Sequence, residues 1–255
     1  MKPHGRVTRG TTNINRLRRV DRWMAHDSAI ASLLSSTPRP LVVDLGYGAR
    51  PDTAVEMARR LRPNAPDLEM VGLEIDPERI VEPRDGVRFA LGGFELAGLR
   101  PHLVRAFNVL RQYDEFEVAD AWARMQRSLA PSGLIVEGTC DEIGRRCCWI
   151  VLDADGPRSL TLSWSPEHTE RPSELAERLP KILIHHNVPG QPIHELLVRA
   201  DRCWDIAATH AAFGPRTRWR HALTLLREQG VPVAIPRGRV VDNILTVPWS
   251  VVAPP

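Results

Sequence analysis

Two short segments of this sequence combine glycines and acids at a spacing that suits the binding of a nucleoside. An apolar run at 41–45 contains Asp44 and leads into Gly46 and Gly48, and a second apolar run ends in Glu74. Glycines let the backbone approach a ligand closely because they lack a Cβ atom. A carboxylate at the end of the second strand can accept hydrogen bonds from ribose hydroxyls. We therefore predict a nucleoside-cofactor site, with an enzyme as the leading functional class.

The elements that must position these residues follow from the hydrophobic pattern. Strand and helix alternate four times, which predicts a doubly wound, mostly parallel Rossmann-like α/β sheet with helices on both faces. The predicted strands are 41–45, 70–75, 87–91, 103–108 and 134–137, and the clearest helices are 51–61 and 117–129. An antiparallel pair at 147–153 and 160–164 follows, and helices are predicted at 172–183, 192–211 and 216–229.

The 255 residues fit one large α/β domain with extensions. Residues 1–38 are predicted to form an N-terminal arm and a helix over 14–35. Residues 39–165 form the predicted cofactor-binding core. Residues 166–255 form a mainly helical C-terminal region that belongs to the same compact domain. We expect this last region to cover the substrate.

Charge and composition argue against some classes of partner. Lys2 and Lys181 are the only lysines among 34 basic residues, so 32 are arginines, a usage typical of a GC-rich, bacterial-type genome. The net charge is only +3 and acids are dispersed among the arginines, which disfavours a nucleic-acid partner. A signal peptide and an apolar run of membrane-spanning length are both missing from the sequence, so we expect a cytoplasmic protein without a membrane partner.

The cysteines predict neither a metal site nor a disulfide framework. Cys140, Cys147, Cys148 and Cys203 form no Cys-x-x-Cys pair, and no histidine cluster accompanies them. Cys147 and Cys148 are adjacent on a predicted strand, so their side chains should point to opposite faces of the sheet. Reduced thiols are the simplest interpretation.

Residues 41 to about 165 resemble the class I S-adenosylmethionine-dependent methyltransferases. The run Asp44-Leu45-Gly46-Tyr47-Gly48 is similar to the first motif of that superfamily, and residues 71–76 are similar to its second strand. Residues 129–135 resemble the Leu-x-Pro-Gly-Gly turn before its fifth strand. The resemblance implies S-adenosyl-L-methionine as cofactor and methyl transfer by in-line displacement. The acceptor is not identified, and we expect a small molecule.

The resemblance also implies a role for individual residues. Gly46, Tyr47 and Gly48 would lie at the methionine end of the cofactor, where Asp44 would orient the loop or meet the amine. Glu74 would hold the ribose hydroxyls. Ile75, Gly93 and Phe94 would lie at the adenine, and Asn108 would face the reactive methyl group. Arg50 stands where the superfamily often has a third glycine, and Gly93 where it often has an acid. These departures leave open a cofactor-binding protein without turnover.

Three residues are candidates for work on the acceptor. Asn108 ends the fourth predicted strand, Tyr113 follows it, and His185 belongs to a predicted loop with a second histidine. Imidazole is a common general base near neutral pH, although most loop histidines are merely exposed. A nicotinamide-binding domain is disfavoured because its glycine pattern requires glycine at the position of Pro51.

The N-terminal arm concentrates positive charge. Its arginines are Arg6, Arg9, Arg16, Arg18, Arg19 and Arg22. We expect the arm to fold over the cofactor as a lid, with Arg9 as the candidate contact of the cofactor carboxylate. A solvated helix face and an RNA-phosphate contact are the alternatives, and the second would make the chain an RNA-binding or RNA-modifying protein.

Overall fold

The computed structural model describes residues 3–7, 12–234 and 242–255. Eight strands of these segments form a single sheet in the order β3-β2-β1-β4-β5-β6-β7-β8. The strands are β1 Leu41–Leu45, β2 Glu69–Glu74, β3 Val87–Leu91, β4 Leu103–Phe107, β5 Leu134–Cys140, β6 Arg146–Asp153, β7 Gly156–Trp164 and β8 Asn243–Pro248.

The first five strands form the parallel half of the sheet. β1 pairs with β2 on one side and with β4 on the other, while β3 and β5 extend the two ends. The chain therefore reverses its direction of winding between β1 and β4. Open α/β sheets bind ligands at such a switch point, beyond the carboxyl ends of the strands. The predicted doubly wound sheet is confirmed.

The last three strands are antiparallel and extend the sheet beyond β5. The link between β5 and β6 covers only residues 141–145, and the Asp141 carboxylate closes it by accepting hydrogen bonds from the Ile143, Arg145 and Arg146 amides. The predicted β6–β7 hairpin is confirmed. The mainly helical C-terminal region also contributes β8, which pairs with β7. This strand was not predicted from the sequence.

Helices cover both faces of the sheet. The helices are α1 Arg18–His26, α2 Ser28–Ser36, α3 Asp52–Leu61, α4 Glu115–Arg127, α5 Lys181–Ile184, α6 Pro192–Ile206 and α7 Pro215–Glu228. One face of the sheet packs Val42 and Met70 against α1 to α3, and the other packs Val43 and Leu73 against α4, α6 and α7.

Several predicted helices are shorter than expected. Four crossover connections join the parallel strands β1 to β5. Two of them contain the helices α3 and α4, and the other two contain only the 3-10 turns Pro77–Arg79 and Leu96–Gly98. The expected helix 14–35 is interrupted at Asp27, whose extended backbone lets its carboxylate cap α2 through the amides of Ala29 and Ile30.

The predicted helices in the C-terminal region show the same kind of correction. The helix expected at 172–183 is a 3-10 segment, Pro172–Arg178, followed by α5, because Pro180 is extended and breaks it. The helix expected at 192–211 changes from α to 3-10 geometry after Ile206. Among the described helices, none has the length and hydropathy needed to cross a membrane.

Candidate active site

The glycine turn after β1 lies at the switch point of the sheet. Gly46 and Gly48 have positive φ angles of 70° and 83°. A Cβ atom added at Gly46 would lie 2.7 Å from a methyl group of Val109, and one added at Gly48 would lie 2.5 Å from the Thr12 hydroxyl oxygen. Both conformation and space therefore require glycine at these two positions.

Glu74 joins this turn to the end of β2. Glu74 is only 1% exposed to solvent, and its Oε2 atom accepts a hydrogen bond of 2.9 Å from the Gly48 amide. Its Oε1 atom accepts hydrogen bonds from the Ile75 and Asp76 amides at 2.9 and 3.3 Å. A carboxylate has about four lone-pair sites, so Glu74 keeps acceptor capacity for a ligand hydroxyl.

Asp44 is held by a residue that the sequence analysis did not single out. Arg105 on β4 donates from Nε to Asp44 Oδ1 at 2.9 Å and from its second terminal nitrogen to Oδ2 at 2.6 Å. Its other terminal nitrogen donates to Asp21 of α1. The three side chains are almost completely buried. Asp44 thus connects the glycine turn to an internal ion-pair network and to α1.

The energetic balance of this network depends on all three charges. Burial lowers the pKa of Arg105, but the Asp21 and Asp44 carboxylates outweigh that effect and raise it above its ordinary value. Arg105 also donates to the Thr53 carbonyl in the first turn of α3. The signal available in the sequence was a single charged residue inside the otherwise apolar strand β4, because an interior arginine needs buried acceptors.

A partly open cavity lies beside the glycine turn. Thr12, Arg16, Asp44, Gly48 and Asn108 are among the residues that line it. The Thr12 hydroxyl donates to the backbone carbonyl of residue 47 at 3.1 Å, so the chain before α1 closes one side. Asp44, Gly46 and Gly48, which were predicted for the methionine end of a cofactor, lie around this one cavity.

The Tyr47 side chain points away from the glycine turn. Its hydroxyl donates to the Arg79 carbonyl at 2.7 Å, and its ring packs edge-on against Phe89. Burial and the nearby Glu74 carboxylate raise its pKa to about 12. Tyr47 therefore offers the cavity its backbone rather than its ring.

Asn108 follows β4 and is fixed by β5. Its Oδ1 atom accepts a hydrogen bond of 2.9 Å from the Cys140 amide, and its Nδ2 atom lies 3.3 Å from the Cys140 sulfur. Contact with Cys147 across the β5–β6 pair, together with Arg16 and Asn108, lowers the pKa of the Cys140 thiol to about 7 against the effect of burial. Cys147 and Cys148 belong to opposite faces of the sheet, as predicted.

A second, smaller cavity lies on the other side of Gly46, which lines both cavities. Glu74, Ile75, Gly93 and Phe94 line it, so the structure brings together the residues expected at the ribose and adenine. The Phe94 ring packs edge-on against Tyr113 with centroids 5.4 Å apart.

His4, Gly5 and Arg6 of the N-terminal arm also line this second cavity. The Phe94 amide donates to the His4 carbonyl at 2.9 Å. The Arg6 amide donates to the Tyr113 hydroxyl, and the Arg6 guanidinium lies 4.9 Å from the Tyr113 ring centroid. Burial raises the pKa of Tyr113. Arg9, the candidate contact of a cofactor carboxylate, lies outside the described residues.

The histidine candidate is separated from both cavities. His185 is exposed and follows α5, and it does not line either cavity. Its neighbour His186 lies 2.7 Å from a carboxylate oxygen of Glu115 at the start of α4. In the described segments, no group of three or more His, Cys, Asp or Glu residues could hold a metal ion.

Solved structures with a similar fold include three that align with part of this chain. Human N-acetylserotonin methyltransferase, solved with SAM, is 21% identical over 47% of this chain and 36% of its own, with a TM-score of 0.32. The cyclopropane synthase MmaA2 from Mycobacterium tuberculosis is 19% identical over 51% of this chain and 48% of its own, with a TM-score of 0.35. The plantazolicin methyltransferase BpumL, solved with SAH, is 10% identical over 49% of this chain and 48% of its own, with a TM-score of 0.37.

These likenesses concern the fold of about half of this chain. The chain spans less than half the length of each of the three structures. No protein-family model matches the chain. No curated protein matches it.

Proposed function

We propose that this chain binds S-adenosyl-L-methionine across the two cavities and transfers its methyl group to a small-molecule acceptor. One observation carries the proposal. The buried Glu74 carboxylate lies at the end of β2 and is hydrogen bonded to the Gly48 amide of the turn after β1. A ribose hydroxyl acceptor and a glycine turn are thereby joined at the switch point of a doubly wound sheet.

The residues around Glu74 fit the remaining parts of this cofactor. Gly46 lines both cavities, so an elongated ligand can pass it with its amino-acid end beside Gly48 and its base beside Phe94. The Ile75 side chain would pack against the base, and the Phe94 amide would donate to its edge. Asp44 would act through the glycine turn, since Arg105 occupies its carboxylate.

The bound cofactor would supply an electrophilic methyl group on a sulfonium centre. This chain would align the acceptor and exclude water, which are the main requirements of such a transfer. Asn108 has a rigid position at the end of β4, because β5 fixes its side-chain amide. It would orient the acceptor without removing a proton, which suits an acceptor that is already nucleophilic near neutral pH.

The role of Glu74 is tested by measuring its energetic coupling to the ribose. Calorimetry would compare S-adenosylhomocysteine with an analogue that lacks one ribose hydroxyl, for the wild type and for Glu74→Gln. A hydrogen bond to a charged group contributes roughly 1.5–3 kcal/mol. Removing the hydroxyl should therefore weaken wild-type binding by about tenfold or more and weaken Glu74→Gln binding much less.

This comparison corrects for the second role of Glu74, which is to hold the glycine turn. A general loosening of the turn would weaken both ligands equally. An equal loss from removing the hydroxyl in both proteins would contradict the ribose contact. An absence of cofactor binding at millimolar concentration would refute the proposal. Methyl transfer from labelled cofactor to the small-molecule fraction of a cell extract tests turnover, and binding without labelled product would indicate a protein that binds the cofactor without turnover.

A further inference from the structure

We propose that residues 3–7 are an intramolecular competitor for the nucleoside half of the site, so that cofactor binding requires this segment to leave. The inference rests on the proposed function, because it concerns the cavity lined by Glu74, Ile75 and Phe94. The segment is part of this cavity wall, and its His4 carbonyl takes the Phe94 amide that would otherwise face a base.

The hydrogen bonds of the segment repeat those expected for a bound base. The Phe94 amide donates to the His4 carbonyl at 2.9 Å. The Glu95 carboxylate accepts from the His4 amide through one oxygen and from the Gly93 amide through the other, each at 2.8 Å. Two backbone amides beside the adenine position are therefore already engaged. A purine cannot accept a hydrogen bond from the Phe94 amide while His4 occupies it.

Close packing supports the same conclusion. A Cβ atom added at Gly93 would lie 2.0 Å from the His4 carbonyl oxygen, so the two backbones are in direct contact there. A Cβ atom added at Gly5 would lie 3.1 Å from both the Ile75 Cδ1 atom and the Tyr113 hydroxyl. Gly5 also has a φ angle of 145°, which side-chain-bearing residues rarely adopt. The segment is thus fitted to the surface on which the base would pack.

The outer contacts of the segment are weak enough to permit its release. The Arg6 guanidinium pairs with Glu117 at 2.6 Å, but the Arg6 side chain is 54% exposed. The Gln112 amide donates to the Arg6 and Val7 carbonyls at 3.3 and 3.2 Å at an exposed position. Solvent and salt weaken such exposed ion pairs, whose contribution is typically small.

A competitor and a lid make opposite predictions for the same deletion. A lid covers a bound cofactor and adds contacts to it, so its removal weakens binding. A competitor occupies the donors of the cofactor, so its removal raises the fraction of molecules that can bind and tightens the apparent affinity. The position of His4 on the Phe94 amide favours the competitor.

Calorimetry with S-adenosylhomocysteine would compare the wild type with a full-length Gly5→Val variant and a variant lacking residues 1–7. We expect both variants to bind roughly tenfold more tightly, which corresponds to a closed form favoured by about 1.4 kcal/mol. Gly190→Val is the matched control, because Gly190 also has a positive φ angle and a Cβ atom there would contact nothing within 4 Å. This control should bind like the wild type.

Each outcome distinguishes the inference from the proposed function. Unchanged binding of S-adenosylhomocysteine by the truncated protein would overturn the proposal that residues 3–7 compete with the cofactor. Weaker binding would also overturn it and would support a lid. An absence of binding by every variant would overturn the proposed function and the competitor together. Tighter binding by the truncated protein and by Gly5→Val would support both.

Proteolysis supplies a second measurement on the full-length chain. Trypsin cleavage after Arg6 can be followed by mass spectrometry of the released peptide. We expect S-adenosylhomocysteine to accelerate this cleavage, because a displaced segment leaves Tyr113 and Phe94 and becomes accessible to the protease. Slower cleavage in the presence of the ligand would contradict displacement.

Discussion

Glu137 is a carboxyl group in the apolar interior of the fold, and its ionisation is expected to make the stability of the protein depend on pH. It lies on β5 between Ala106 of β4 and Ile150 of β6, and it is 1% exposed. Neither carboxyl oxygen has a hydrogen-bond partner among the described residues. The nearby Trp122 indole favours the ionised form only weakly against burial, since its N–H also lacks a hydrogen-bond partner. Glu137 should therefore remain protonated at neutral pH.

The effect on stability follows from the pKa. Burial raises the pKa of Glu137 from its ordinary value of 4.5 to about 8. The folded state then binds more protons than the unfolded state between these two values, so stability falls as pH rises through this window. At about 1.4 kcal/mol per pKa unit, the loss reaches about 3 kcal/mol at pH 7 and up to about 5 kcal/mol above pH 8.

Urea unfolding from pH 5 to pH 9 would measure this dependence for the wild type and for Glu137→Gln. The glutamine side chain does not ionise. As the pH rises from 5 to 9, the free energy of unfolding of Glu137→Gln should therefore increase relative to that of the wild type by several kcal/mol. Any cost of burying the amide is independent of pH and shifts the whole curve equally. Glu82→Gln is the control, because Glu82 is exposed and should not change the slope.

The shape of the difference between the two curves decides the outcome. Parallel curves for the wild type and Glu137→Gln would refute the buried, protonated carboxyl. A difference that stops growing well below pH 8 would show a smaller rise of the Glu137 pKa and hence an interior more polar than the packing of β4, β5 and β6 indicates.

Three further predictions concern the site and its support. Arg105→Met should lower the free energy of unfolding by about 3–5 kcal/mol, because it leaves the buried Asp44 carboxylate without its ion-pair partner and Asp21 with Arg60 alone. Adding the neutral substitutions Asp21→Asn and Asp44→Asn should recover much of that loss in the same urea experiment. Gly48→Val should abolish cofactor binding in calorimetry without unfolding the domain, since its Cβ atom would meet the Thr12 hydroxyl at 2.5 Å, and a folded variant with wild-type affinity would contradict the close-approach argument. Asp27→Ala should cost about 1 kcal/mol in thermal or urea unfolding through loss of the α2 cap, and an unchanged midpoint would show that the capping bonds contribute nothing.

The sequence determined the parallel core of this protein. Strands β1 and β3 were predicted at the bounds they have, and β2 and β4 were predicted to within one residue at each end. Continuous apolar runs bounded by turns carry this information locally, because both faces of a central parallel strand are buried. The same local signals brought Gly46, Gly48 and Glu74 to one edge of the sheet.

Several features depended on contacts that are distant in sequence. Asp27 reads as part of a continuous helical pattern, but its carboxylate stabilises a break by capping α2. β8 is a short apolar segment that becomes a strand only because β7 offers it an unpaired edge. The domain boundaries at residues 38 and 165 remain predictions, and one sheet extends across the second of them.

The same division holds for the site. Residue types and spacing were sufficient to predict the glycine turn and the ribose acceptor, because both follow directly from the ends of two neighbouring strands. Tertiary structure alone decided that Arg105 occupies the Asp44 carboxylate, that His185 lies apart from both cavities, and that His4 takes the amide of Phe94. A buried charge and a backbone donor take whichever partner the folded chain brings within reach, and that partner can lie 61 or 90 residues away, as Arg105 does from Asp44 and His4 from Phe94.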